Sequence, residues 1–106
     1  MSDITKVFSK IYNLKIMWQR HALQRMFERS ISRDDVKVAI AKGKIIEEYL
    51  NDFPYPSYLI AYINIRKPLH VVLSYDEQLD VVYIITAYIP NRTHFKENLI
   101  TRNNNE

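Results

Sequence analysis

The sequence contains no cysteine, only one glycine (Gly43) and only four prolines. The absence of cysteine excludes disulfide frameworks, thiolate nucleophiles, cysteine-containing zinc sites and iron–sulfur clusters. No segment approaches the roughly 20 consecutive apolar residues that a membrane helix needs. The first residues also lack the apolar run and the small-residue cleavage site of a signal peptide. We therefore expect a cytoplasmic protein without a membrane segment.

What the sequence does contain predicts one globular domain. Its 106 residues are 47% hydrophobic, 25% charged and 12% aromatic, a composition far from that of a disordered chain. The formal net charge is only +3, but the first 33 residues contain seven basic residues and only two acidic ones, Asp3 and Glu28. This asymmetry indicates either a polyanionic partner or simply a solvated basic face.

Helical periodicity dominates the first 42 residues. Apolar residues at helical spacing predict a short helix within residues 1–15, or an arm that orders against a partner. A second helix is predicted at 18–28 and a third at 33–42. Ser32 followed by Asp35 resembles a capping box with Asp in the usual place of Glu. We expect the third helix to end at Gly43 in the left-handed conformation that favours glycine.

After Gly43 the pattern indicates β-structure. Residues 44–50, 58–66, 69–75 and 81–88 are rich in Val, Ile, Tyr and Leu, and short connections separate them. The third and fourth strands are apolar on both faces and are predicted to be central, whereas the first is predicted to be an edge. The fold class is therefore α+β, with two or three N-terminal helices packed on a four-stranded antiparallel meander sheet. We divide the chain into a helical extension (1–17), the α+β domain (18–95) and a polar tail (96–106).

The second helix carries the polar series His21-x-x-x-Arg25-x-x-x-Arg29. At about 100° per residue the three side chains share one face, opposite Leu23, Met26 and Phe27. The simplest interpretation is a solvated helix face. The alternative is a catalytic surface, since a histidine exchanges protons near neutral pH and two guanidinium groups can clamp a phosphate. These are the minimum groups of a metal-independent ribonuclease in which the 2′-hydroxyl attacks phosphorus.

Other polar and aromatic residues also allow two interpretations. His70 lies on the same face of a central strand as Val72 and Ser74. It is either a half-buried histidine with satisfied hydrogen bonds or a second acid/base group. Tyr88 either donates to a phosphate or packs against Pro90. His94 lies near Arg92 and could contact a phosphate. Four aromatic residues either stack on bases or belong to the core: Trp18, Tyr55, Tyr58 and Tyr62. The three histidines lie far apart in sequence and no carboxylate has ligand-like spacing to any of them, so we expect no metal and no cofactor.

A series of motifs in this chain resembles a known family. The segments are HALQRMFER, ISRDDV, IEEY, PLHVV and IITAYIP, in that order between His21 and Pro90. Members of the family labelled domain of unknown function 4258 typically show H-A-x-x-R-M-x-x-R, I-S-x-x-D-V, I-E-x-Y, P-L-H-V-V and I-x-T-x-Y-x-P. About two-thirds of the chain is covered, and the order of several motifs makes the resemblance specific.

The resemblance implies a RelE-like fold of the barnase, EndoU, colicin and RelE type, and a toxin of a type II toxin–antitoxin system. It implies an endoribonuclease that acts on mRNA and has a cognate antitoxin of zinc-finger or helix-turn-helix character as its partner. Whether the protein forms a homodimer is left open. The family's polar signature falls on His21, Arg25, Arg29, His70 and Tyr88, which we expect to be catalytic. The alternative is a non-catalytic module of the same fold that binds nucleic acid or protein.

Overall fold

The computed structural model describes residues 4–64 and 67–91. Along the chain lie α1 (Ile4–Phe8), a 3₁₀ turn (Ile11–Asn13), β1 (Lys15–Trp18), α2 (Arg20–Glu28), α3 (Arg33–Lys42), β2 (Lys44–Tyr49), β3 (Ser57–Tyr62), β4 (Leu69–Asp76) and β5 (Val81–Tyr88). The α+β class and the order of helices before the meander are confirmed. No helix in the described ranges has the length and apolar character needed to cross a bilayer.

The sheet has five strands in the order β1-β5-β4-β3-β2. The strands β2 to β5 form the predicted antiparallel meander. The prediction of four antiparallel strands is nevertheless wrong, because β1 adds a fifth strand that pairs parallel with β5, from Lys15 opposite Val81 to Trp18 opposite Ile84. The predicted positions are confirmed: β4 is central, β5 is internal and β2 is an edge.

The short strand β1 escapes detection because it has only four residues, too few for alternation to be recognised. Ile16 and Trp18 pack against the core, while Lys15 and Met17 are exposed. Only Gln19 separates β1 from α2, so the apolar residues of the strand run directly into the helical pattern. The predicted helix within 1–15 is correspondingly shorter, confined to α1.

The helices pack on one face of the sheet. Leu69, Val71 and Leu73 of β4 join Met26 of α2 and Val36 of α3 in a single core. Burial of such a side chain contributes about 1.5–3 kcal/mol to folding. Since successive strand residues point to opposite faces, His70, Val72 and Ser74 lie on the face away from this core.

The N-terminal segment contributes to the same core. Phe8 packs edge-on against Tyr58 and Tyr75, with ring centroids 5.4 and 5.8 Å apart. Ile11 is fully buried. The division between an extension (1–17) and a domain (18–95) stays a prediction, but two side chains of the extension are part of the domain's interior.

The corner between α2 and α3 is built by two capping motifs. After the C-cap Arg29, the amide of Ile31 donates to the Met26 carbonyl at 2.8 Å and that of Ser30 to the Phe27 carbonyl at 3.2 Å, as in a Schellman motif. The predicted capping box of α3 is confirmed, since the Ser32 side chain accepts from the Asp35 amide and the Asp35 side chain accepts from the Ser32 amide. These hydrogen bonds fix the backbone position of Arg29 at the end of α2.

Lys67 connects this corner to the start of β4. Its Nζ donates to the Ser30 carbonyl at 2.7 Å and to Asp35 Oδ2 at 3.1 Å. Burial raises the pKa of the Asp35 carboxyl, but the hydrogen bonds from Ser32 and Lys67 outweigh it, so the pKa is lowered overall. The β-strand that carries His70 is thereby held next to the end of α2.

Ser30 occupies the left-handed position of the Schellman motif, with φ 57°. A side chain costs about 1–2 kcal/mol there, whereas glycine adopts the conformation freely and loses more entropy on folding. We expect Ser30→Gly to raise the free energy of unfolding by about 0.5–1 kcal/mol, measured by urea denaturation. Ser30→Ala retains the strain and serves as control; equal stability of the two variants would contradict the assignment.

Gly43 does not adopt the expected left-handed conformation. Its φ of −80° and ψ of −176° are extended and open to any residue, so this prediction is wrong. The glycine is needed for a different reason, namely the close approach of neighbouring atoms to its Cα.

Candidate functional site

A cavity opens at the end of β5, where the chain leaves the sheet. It has a volume of about 360 Å³ and is lined by Arg29, Tyr88, Ile89 and Asn91. The Nη1 group of Arg29 donates a hydrogen bond of 2.8 Å to the carbonyl of Ala87. This bond uses one of the five N–H donors of the guanidinium group and fixes its position at the cavity.

Behind the cavity, His70 and Tyr88 face each other across neighbouring strands. The Nδ1 atom of His70 lies 3.3 Å from the Tyr88 hydroxyl oxygen, and the two rings pack edge-on with centroids 5.3 Å apart. His70 is 0% exposed, more deeply buried than the half-buried position expected from the sequence. From this position its Nδ1 connects to the cavity lining through the Tyr88 hydroxyl. Tyr88 therefore lines the cavity with Arg29 and also contacts His70.

His21 and Arg25 lie in a different environment, on the exposed face of α2. The Nε group of Arg25 donates to His21 Nε2 at 3.5 Å, and its Nη1 lies 3.3 Å from Glu28 Oε1. Arg25 and Glu28 have 46% and 47% of their side chains exposed, so the pair contributes only a few tenths of a kcal/mol. Neither His21 nor Arg25 lines the cavity. The five residues expected to form one site are thus divided: His21 and Arg25 lie on the exposed face of α2, whereas Arg29 and Tyr88 line the cavity and His70 contacts Tyr88.

The sequence did not indicate Ile89 and Asn91 as part of the site. Asn91 directly follows the I-x-T-x-Y-x-P motif, and position next to this motif is the signal that could have identified it. Arg92 and His94, also considered from the sequence, lie outside the described residues. Within the described ranges, no three His, Asp or Glu side chains are arranged so that they could hold a metal ion.

The aromatic residues considered for base stacking have different positions. Tyr58 is buried in the core and Tyr62 packs against it. Tyr55 stacks on Tyr83, with ring centroids 5.4 Å apart and an interplanar angle of 5°. Trp18 packs against the core and carries the guanidinium group of Arg33 over its ring, 5.6 Å from the centroid.

The arginines around α2 differ in their pairing with acids. Arg25 pairs with Glu28. Arg20, Arg29 and Arg33 have no carboxylate partner within the part of the chain that the structure describes. Of these three arginines, Arg29 is the one that lines the cavity.

Fold and site together define a small α+β domain with helices on one face of a mixed sheet and an arginine–tyrosine cavity at the end of an inner strand. Residues 18–89 match the model of a family described as a domain of unknown function (DUF4258). The chain belongs to this family, as its motifs indicated. No curated protein and no solved structure matches the chain.

Proposed function

We propose that the protein is a RelE-like, metal-independent endoribonuclease that cleaves mRNA and acts as the toxin of a type II toxin–antitoxin system. The observation that carries the proposal is the cavity in which Arg29, which has no carboxylate partner among the described residues, lies beside Tyr88. A cation, a phenol and an amide around one opening are groups that bind a phosphodiester and transfer a proton near it.

Arg29 is the phosphate-binding residue in this proposal. Its guanidinium group is already positioned by the Ala87 carbonyl, so little reorganisation is needed when an anion enters. Asn91 lines the same opening, and its side-chain amide can donate a second hydrogen bond to a phosphate oxygen. Ile89 offers an apolar surface to the ribose or base of the same nucleotide.

Tyr88 and His70 carry the proton from the attacking hydroxyl. When the 2′-oxygen attacks phosphorus, the Tyr88 oxygen accepts its proton while the Tyr88 hydroxyl proton passes to His70 Nδ1, 3.3 Å away. The bond from phosphorus to the 5′-oxygen breaks, leaving a 2′,3′-cyclic phosphate on one product. His70 returns the proton through Tyr88 after the product leaves. His70 thus acts through Tyr88 as a positioning and proton-storing residue.

His21 and Arg25 serve the other side of the scissile bond. The leaving 5′-oxygen needs a proton, and His21 is the exposed histidine of α2. Arg25 lies between His21 and Arg29 at four-residue spacing, so it can orient the imidazole and neutralise the neighbouring phosphate. In this proposal the helix face guides the RNA strand toward the cavity.

The toxin assignment rests on the resemblance to RelE-like toxins. A toxin of this kind is neutralised when its antitoxin covers the basic surface that binds RNA. Cytoplasmic location and a zinc-finger or helix-turn-helix antitoxin belong to the same proposal. Growth arrest on expression, relieved by the product of the neighbouring gene, separates a toxin from other ribonucleases.

One observation favours a second candidate, a non-catalytic RNA-binding module. Arg25 is paired with Glu28 and His70 is fully buried, as expected if these two residues have structural roles. This candidate predicts salt-dependent RNA binding without turnover.

Cleavage of RNA by the purified protein in EDTA tests the proposal. We expect products with cyclic phosphate ends, and a loss of rate of about 100-fold or more in Tyr88→Phe, because the phenol is then unable to exchange a proton. His21→Ala is expected to slow protonation of the leaving group. Cleavage that requires added metal would contradict the mechanism, and binding without cleavage would leave the second candidate.

A further inference from the structure

The contact between Trp18 and Arg33 lies outside the cavity and plays no part in the proposed reaction. The Arg33 carbon Cζ lies 5.6 Å from the centre of the Trp18 ring, within the range of a cation–π interaction. Trp18 is fixed because it packs against the core at the end of β1. The Trp18 ring therefore contacts a guanidinium group at the surface, at the start of α3.

This guanidinium group forms no ion pair with any carboxylate that the structure describes. Arg33 is exposed and precedes two acidic residues, Asp34 and Asp35, but neither forms an ion pair with it in the described ranges. Arg20 lies only two residues from Trp18 and also has no carboxylate partner there. Arg33 thus lies over the Trp18 ring, and Arg20 follows Trp18 by two positions at the start of α2.

We propose that Trp18 and Arg33, together with Arg20, form a binding platform for single-stranded RNA. A guanidinium plane held over an aromatic ring offers its outer face to a nucleobase, and its N–H groups can contact the adjacent phosphate. The bases of a duplex are stacked inside the helix and cannot reach such a platform. The preferred substrate class is therefore unpaired RNA.

The platform lies within reach of the cavity. Arg29 and Arg33 are separated by four residues, so their Cα atoms are at most about 14 Å apart. One RNA strand can occupy both sites, with the scissile nucleotide at Arg29 and its neighbours at Arg33. This placement rests on the proposed function, whereas the binding itself does not.

Trp18 provides a direct measurement, because it is the only tryptophan in the chain. We titrate the full-length protein with a short 2′-O-methyl oligouridine, which lacks the attacking hydroxyl and stays intact. Tryptophan fluorescence and the anisotropy of the labelled oligonucleotide are followed in parallel. The expected result is a change in Trp18 fluorescence with the same midpoint as the anisotropy, and weaker binding of a duplex of equal length. Anisotropy that changes while Trp18 fluorescence stays constant would overturn the proposal.

Three variants show which side chains contribute to the affinity for oligouridine. Arg33→Ala is expected to weaken oligouridine binding by about tenfold, since one stacked base is lost. Arg33→Lys keeps the charge but lacks the planar group and should recover only part of the loss. Lys42→Ala removes an exposed charge from the other end of α3 and should change affinity less than about twofold. Equal effects of Arg33→Ala and Lys42→Ala would overturn the platform.

The outcomes for binding and cleavage are separable. Arg33-dependent oligouridine binding by a protein that does not cleave RNA would support the platform and refute the proposed ribonuclease. Cleavage of unmethylated RNA that is unaffected in rate and KM by Arg33→Ala would support the ribonuclease and refute the platform.

Discussion

Arg29→Ala is expected to lower kcat for RNA cleavage by about 100-fold to 1,000-fold, the effect of removing one preorganised donor from a transition state. The negative charge on the phosphate oxygens grows as the 2′-oxygen attacks. In the proposed mechanism the guanidinium group meets this charge without moving, because its hydrogen bond to the Ala87 carbonyl already positions it. Among the described residues, alanine leaves the cavity lining without a positive group. Single-turnover cleavage of a short RNA measures the effect.

Two further variants show whether the loss of kcat comes from the charge, the geometry or the position of Arg29. Arg29→Lys restores the charge but not the forked geometry, so we expect partial recovery. Arg25→Ala is the matched control, since it removes an arginine from the adjacent turn of the same face, where the side chain pairs with Glu28 rather than lining the cavity. Its effect should be smaller than that of Arg29→Ala. If Arg25→Ala abolished cleavage and Arg29→Ala did not, the site would lie on the exposed helix face instead.

The different behaviour of Arg25 and Arg29 could not be predicted from a helical projection. The projection places both on the same polar face as His21. However, α2 ends at Glu28, and Arg29 is a C-cap residue whose side chain reaches a carbonyl 58 positions later in the sequence. Local periodicity describes positions around a helix and contains no information on which distant strand lies beside its end.

Strand alternation shows a similar limit for His70. Alternation correctly separates His70 from the core face of β4, which carries Leu69 and Val71. It does not give the partner on the next strand, because the register between β4 and β5 contains an irregularity after Val72. The structure supplies this register, which places His70 opposite Tyr88. The His70–Tyr88 contact is therefore a property of pairing rather than of either segment.

The fold was most predictable where structure depends on local chemistry. The capping box at Ser32 and Asp35 needs only neighbouring residues, and it forms as expected. The strand β1 depends instead on a parallel pairing with β5, more than sixty residues away in sequence. Four residues carry too little pattern to reveal such a distant contact, and the sequence prediction was incomplete for this reason.

Gly43 illustrates the same distinction, since its requirement comes from tertiary packing. A Cβ atom at this position would lie 2.3 Å from the Ala39 carbonyl oxygen. It would also lie 2.8 Å from the Ala61 carbonyl oxygen and from Cγ2 of Ile60. Two of these neighbours are backbone atoms, one in α3 and one in β3, so they cannot move aside without displacing the helix or the strand.

We therefore expect Gly43→Ala to lower the free energy of unfolding by about 3 kcal/mol, at the upper end of the range for overpacked positions. The backbone dihedral angles of Gly43 are permitted for alanine, so the loss would arise from the clash and not from strain in φ. Lys44→Ala, at the exposed neighbouring position, is the control and should change stability by less than about 0.5 kcal/mol. Urea denaturation of both variants measures the difference. A Gly43→Ala protein as stable as Lys44→Ala would show that α3 and β3 are not packed this closely, and because α3 carries Arg33, the platform beside Trp18 would then need to be reconsidered as well.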